Sequence, residues 1–85
     1  MNEEKISEEV RKKGNTLLKL KRVIKELETE SKIHFKVRGE TDVHSVIFDK
    51  IRKRWSCDCL FFSLHTKTCS HIFACKLFLE LKTKE

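Results

Sequence analysis

Apolar residues recur at Ile6, Val10, Leu17, Leu20, Ile24 and Leu27, a four–three rhythm in which Lys13 takes the one missed position. That rhythm predicts an amphipathic helix over residues 3–30. Val23 widens its stripe beside Leu20, Ile24 and Leu27, giving the second half a face broad enough to pack on a sheet. Gly14-Asn15 interrupts the pattern and lowers helix stability, so residues 3–13 are expected as a more mobile arm. The stripe reads in two ways, as a helix covering the domain core or as the seam of a helical dimer. At residue 32 the period drops to two. Ile33, Phe35 and Val37 share one face and His34 and Lys36 the other, which predicts a half-buried strand over Lys32–Arg38.

Residues 39–42 (Gly-Glu-Thr-Asp) supply a turn. A second strand, rich in β-branched residues, is expected over 43–48 and a third over about 52–57, with a bend of open register between them in residues 49–53. Residues 60–68 read as a loop, and residues 69–82 as a closing helix. Lys76 and Glu80 mark a narrow polar face on that helix, and Phe73, Leu77, Phe78, Leu79 and Leu81 leave the rest apolar. Such a helix needs cover on more than one side. The sheet supplies one cover, and the N-terminal helix or a second subunit the other, which makes a homodimer through the helices one expectation. The fold class is therefore α+β: a long N-terminal helix over residues 1–31, then a domain over residues 32–85 with a small three-stranded antiparallel sheet, a metal site and a C-terminal helix.

At 85 residues the chain forms at most one domain with a limited core, so a metal staple would contribute much of its folding free energy. No stretch approaches the roughly 18–20 apolar residues of a membrane span, and no signal-peptide pattern opens the chain. The expectation is an intracellular protein of the cytoplasm, nucleoid or nucleus. The formal net charge is +6. Residues 1–31 hold eight Lys/Arg against seven Asp/Glu, and residues 32–85 eleven against six, so the excess belongs to the second part.

The chemistry is concentrated in W-S-C-D-C-L-F-F-S-L-H-T-K-T-C-S-H-I-F-A, residues 55–74. Cys57 and Cys59 are one residue apart, Cys69 and His71 are one residue apart, and nine residues separate the pairs. Three thiolates and an imidazole complete a tetrahedral Zn²⁺ set with no position left for water, which points to one structural ion rather than a catalytic one. Two disulfides, an iron–sulfur cluster with Cys75 as fourth ligand, and a redox dithiol at Cys57/Cys59 are the competing readings. Cys75 itself reads as a buried small apolar residue, His65 as a solvated loop histidine, and His34 and His44 as ordinary strand residues.

The spacing C-x-C, nine residues, C-x-H resembles the SWIM-type zinc finger. The resemblance extends to Trp55-Ser56, Phe61-Phe62, Ile72 and Ala74 and covers roughly residues 43–80. It implies Cys57, Cys59, Cys69 and His71 as the zinc ligands. It also implies a role in binding DNA or proteins, as in transposases, chromatin remodellers and recombination accessory factors. In that family the domain is usually a small appendage of a larger protein, whereas here it makes up nearly the whole sequence.

The densest basic run is residues 50–55, K-I-R-K-R-W. Extended, it would place Lys50, Arg52 and Arg54 on one face and turn Ile51 and Trp55 inward. With Lys53, and with Lys36 and Arg38 on a neighbouring strand, this stripe is a candidate track for phosphates. Trp55 reads as a core or zinc-covering residue rather than a base platform. No Gly-rich phosphate loop and no Ser/His/Asp set is evident, so no enzyme is expected. Two functions remain: a small zinc-stabilised nucleic-acid-binding protein, DNA being the expected partner, that contacts mainly the phosphate backbone, and a zinc-finger adaptor for protein–protein contact or dimerisation.

Overall fold

The computed structural model describes residues 6–39, 41–65 and 67–84. Residues 3–5 of the expected helix, Glu40 of the expected turn and Thr66 of the expected loop lie outside the described residues. The elements run α1 (Glu8–Lys19), β1 (Val23–Glu28), β2 (Lys32–Arg38), β3 (Val43–Asp49), β4 (Arg54–Cys57), α2 (Leu60–His65) and α3 (Ser70–Lys84). The four strands form an antiparallel meander in the order β1-β2-β3-β4.

The sheet thus has one strand more than expected, because the second half of the expected long helix is a strand. Ser7 opens α1 by accepting the Val10 N–H at 3.2 Å, and Glu8 and Glu9 sit in the first turn, where negative charge favours the helix dipole. The other end closes about three turns early for the 3–30 reading. The Lys21 N–H donates to the Leu18 carbonyl and the Arg22 N–H to the Leu17 carbonyl, both at 3.0 Å, with Lys21 at φ 57°. This is the paired bonding of a Schellman cap, normally built on glycine. The β-branched pair Val23-Ile24 then continues extended along β2, with Val23 opposite Val37. A bulge between Lys25 and Leu27 resets the facing of β1, and only Val23 is buried.

Each hairpin is closed by a side chain or a tight bond. Thr29 Oγ1 accepts the Lys32 N–H at 3.0 Å and the Ser31 N–H at 3.3 Å, turning β1 into β2 without glycine or proline. The Gly39 N–H reaches the Asp42 carbonyl at 2.7 Å between β2 and β3. Between β3 and β4, Asp49 Oδ1 accepts the Ile51 and Arg52 N–H groups, each at 3.0 Å, and Lys53 takes φ 57°. The turn falls within residues 49–53, where a bend was expected, and rules out the extended arrangement of residues 50–55: Ile51 is 73% exposed, not turned inward.

One face of the sheet carries Ile33, Phe35, Val37, Val46 and Cys57, all buried, and packs on Ile72, Ala74 and Cys75 of α3. Trp55 stacks on Phe48 at 4.5 Å and on Phe35 at 5.9 Å between ring centroids, and Phe78 meets Phe35 edge-on at 6.1 Å. The other side of α3 is covered by α1 of the same chain. Gly14, which interrupts the sequence pattern, is the point of closest approach: a Cβ there would lie 2.6 Å from Phe73 Cδ2 and 3.2 Å from the Ser70 carbonyl oxygen. The glycine therefore admits α1 to the fold and does not separate an arm from it. No helix among the described residues is long and apolar enough to cross a membrane.

Candidate metal centre

Cys57 ends β4, Cys59 immediately precedes α2, Cys69 immediately precedes α3, and His71 lies in the first turn of α3. The expected loop over residues 60–68 contains α2, a helix of six residues. The folding logic is the convergence of one strand end and two helix starts on a single point. Each thiol accepts a backbone N–H there: Cys57 from Cys59, Cys59 from Phe62, and Cys69 from Ile72. The last two are helix N-terminal amides, which have no partner within their own helix.

The four ligand atoms of Cys57, Cys59, Cys69 and His71 all lie within 4.8 Å of one another. His71 Nδ1 is 3.7 Å from Cys57 Sγ and 3.8 Å from Cys69 Sγ. A tetrahedral metal with S and N ligands at about 2.3 and 2.0 Å sets the S···N edge at about 3.5 Å. The cluster is therefore shaped to receive an ion, with Nδ1 as the imidazole ligand. The three cysteines are buried and His71 is half-buried. All four cysteines of the chain are free thiols. Cys75 is fully buried in the core and is not part of the cluster, in keeping with its reading as a small apolar residue.

The electrostatics fit a cation. The hydrogen bond from the Cys57 thiol draws the Cys69 thiol down to about 4, against burial and with help from His71 and the Ile72 N–H. The same hydrogen bond with Cys69, reinforced by burial, pushes Cys57 up, and burial pushes Cys59 up. The protein groups alone thus favour one thiolate at neutral pH. A divalent ion supplies the positive charge that lets all three ionise.

Asp58, which sequence reasoning passed over, and His44, which it read as an ordinary strand residue, brace the centre. Asp58, between the paired cysteines, accepts the Ser45 N–H at 3.2 Å and meets His44 Nδ1 at 3.1 Å through the same oxygen. Its own N–H returns to the Ser45 carbonyl at 3.2 Å. The His44 ring lies 4.3 Å from that of His71 between centroids. His44 is thus packed on a ligand, and Asp58 ties the C-x-C segment to β3. The one available signal was an acidic residue inside C-D-C, which has no meaning until β3 is placed beside it.

The candidate nucleic-acid residues fall into three settings. Lys50 turns back to the first hairpin, where it pairs with Glu28 and donates to the Thr29 carbonyl at 2.9 Å. Lys50 and then Lys25 hold the Glu28 carboxyl at about 2. Arg52 and Lys53 are exposed in the β3–β4 turn. Lys36, Arg38 and Arg54 occupy the sheet face opposite α3: Lys36 lies across from Ser45 and donates to its hydroxyl at 2.8 Å, Arg38 lies across from Val43, and Arg54 across from Asp49. Lys32, across from Asp49 on β2, joins that face and was not singled out.

Compared with protein-family models, with curated proteins and with solved structures, the chain finds no match.

Proposed function

We propose that this is a zinc-stabilised nucleic-acid-binding module of SWIM-like character, in which one structural Zn²⁺ held by Cys57, Cys59, Cys69 and His71 keeps the sheet and α3 together. The ion orders the fold and performs no chemistry, since four protein ligands leave no open position. Nucleic acid, DNA foremost, binds through its backbone at the uncovered sheet face and the adjoining turn. The observation that carries this reading is the charge of that surface. Lys32 and Arg54 on the strands flank Asp49 beside Arg52 and Lys53 in the turn, all four cations exposed, and Arg38 adds an exposed charge at the far end of the same face. The nearby Asp49 carboxylate is taken up by two turn amides, and hydrogen bonding to the Arg52 N–H lowers its pKa. Lys50 is committed to Glu28 and plays a lesser part. An intracellular setting is supported by cysteines kept as thiols for a metal, since disulfides belong to oxidising compartments.

Fluorescence anisotropy of labelled DNA with the zinc-loaded protein tests the reading. Affinity should fall steeply between about 50 and 200 mM salt, each phosphate contact adding about 0.7–0.9 to the log–log slope. The Arg52/Lys53/Arg54→Ala triple variant should lose two to three contacts' worth of slope, roughly 2 units. Absence of binding at low salt would remove the proposal.

An adaptor function is the second reading, favoured by one observation. Leu60, Phe61 and Leu64 on α2 are exposed, the two leucines by 72% and 69%. If the cationic surface proves silent, Leu60→Ser/Leu64→Ser becomes the variant to compare for self-association by sedimentation, which would read a homodimer directly.

A further inference from the structure

A groove of about 670 Å³ is lined by residues of β2, β3, β4, the β3–β4 turn and α2. Its walls differ in chemistry. Lys32, Arg52 and Arg54 supply cations, Asp49 supplies one carboxylate, and Trp55 with Phe62 supplies aromatic surface. Trp55 lines the groove and is half-buried, with its ring held by stacking on Phe48 and Phe35. Phe62, on α2, is likewise half-buried against the core. In the sequence alone Trp55 reads as a core or zinc-covering residue, since no second exposed aromatic is evident beside it. Folding brings Phe62 there from seven positions further along the chain.

We infer that this groove receives an unstacked base of a single-stranded nucleic acid, with Trp55 and Phe62 contacting the base and Lys32, Arg52 and Arg54 its phosphates. The inference rests on the nucleic-acid reading and narrows it to a strand form. A paired base in a duplex keeps its faces against its neighbours and cannot offer one to the indole, whereas a single strand can splay a base out. The groove carries two net positive charges at its wall, which favours a polyanion over a neutral aromatic ligand. Base contact with aromatic rings is tolerant of sequence, so strand form should matter more than base identity.

The chain holds one tryptophan and no tyrosine, so its emission reports this groove alone. The experiment is to titrate the zinc-loaded protein with oligothymidylate, with oligouridylate and with a DNA duplex of the same length. Trp55 emission and the anisotropy of a labelled strand are followed together. The expected result is quenching of Trp55 by both single strands, with at least tenfold weaker binding and no quenching by the duplex. Arg54→Ala, at an exposed position, should weaken single-strand binding severalfold while the fold, read by circular dichroism, is kept. Binding of single strand and duplex alike with unchanged Trp55 emission would overturn the groove assignment and leave the nucleic-acid reading standing. Absence of any anisotropy change would overturn both.

Discussion

Replacing Gly14 by alanine sets two physical effects of opposite sign against each other. In an isolated helix the change is favourable by about 1 kcal/mol. In this fold the added methyl would lie 2.6 Å from Phe73 Cδ2, 3.2 Å from the Ser70 carbonyl oxygen and 3.3 Å from the Ala74 nitrogen. Ordinary carbon contacts begin near 3.5 Å, so relief needs a movement of roughly 1 Å. Most of that movement concerns the Phe73 ring, while the two backbone atoms, which cannot swing aside, need a few tenths of an ångström, so the ring must shift and α1 must lift slightly from α3. Overpacking of this kind costs about 1–3 kcal/mol. The net expectation is a loss of about 1 kcal/mol, or a Tm lower by roughly 4–8 °C for a domain of this size. Thermal denaturation of the zinc-loaded protein measures it. Asn15→Ala, on the exposed side of the same helix, serves as the control and should leave Tm unchanged or slightly raised. If Gly14→Ala raises Tm as much as the control does, α1 does not pack on α3 through this glycine, and the cover assigned to α3 is wrong.

The remaining expectations concern the cluster and one surface ion pair. Cys57→Ser should abolish stoichiometric zinc binding and largely unfold the sheet and α3. Cys75→Ser should keep one zinc per chain by native mass spectrometry, at a stability cost of about 1–3 kcal/mol for the buried hydroxyl. Glu28 should titrate near 2 by carboxyl carbon NMR, against an ordinary value of 4.5, because Lys50 and Lys25 favour its charged form. Its folded pKa is depressed, so its contribution to stability is present above pH 4.5 and lost as pH falls toward 2. Lys50→Ala should return the midpoint toward 4.5; an unmoved midpoint would mean that the pair does not exist in solution.

Strand β2 was legible to the residue because Ile33, Phe35 and Val37 alternate with polar positions and one face is buried. The metal cluster was legible because its donors lie in two short pairs whose spacing survives any path between them. The missing strand β1 has a specific cause. Leu20, Ile24 and Leu27 extend the helical rhythm of the preceding residues, yet in the fold they are about half exposed. A helix-period pattern thus ran through a stretch in which burial does not enforce any period. The two stop signals, a left-handed Lys21 and a Thr29 turn, use residues that carry little turn preference. Gly14 shows the converse: glycine read as a weak point because propensity is local, while its purpose, close approach to Phe73, is tertiary. The bend within residues 49–53 was legible but its register was not, since Asp49 caps the turn without glycine. Phe62 and His44 became functional candidates only through neighbours distant in the chain.

The account rests on a closed site of three sulfurs and one nitrogen that holds the fold. X-ray absorption at the zinc edge, on stoichiometrically loaded protein, tests this most directly. Three sulfurs at about 2.3 Å and one imidazole nitrogen at about 2.0–2.1 Å, with unfolding on chelation, are the expected result. A water oxygen in the shell, a fourth sulfur from Cys75, or a chain that keeps its fold and melting temperature after the metal is removed would contradict it.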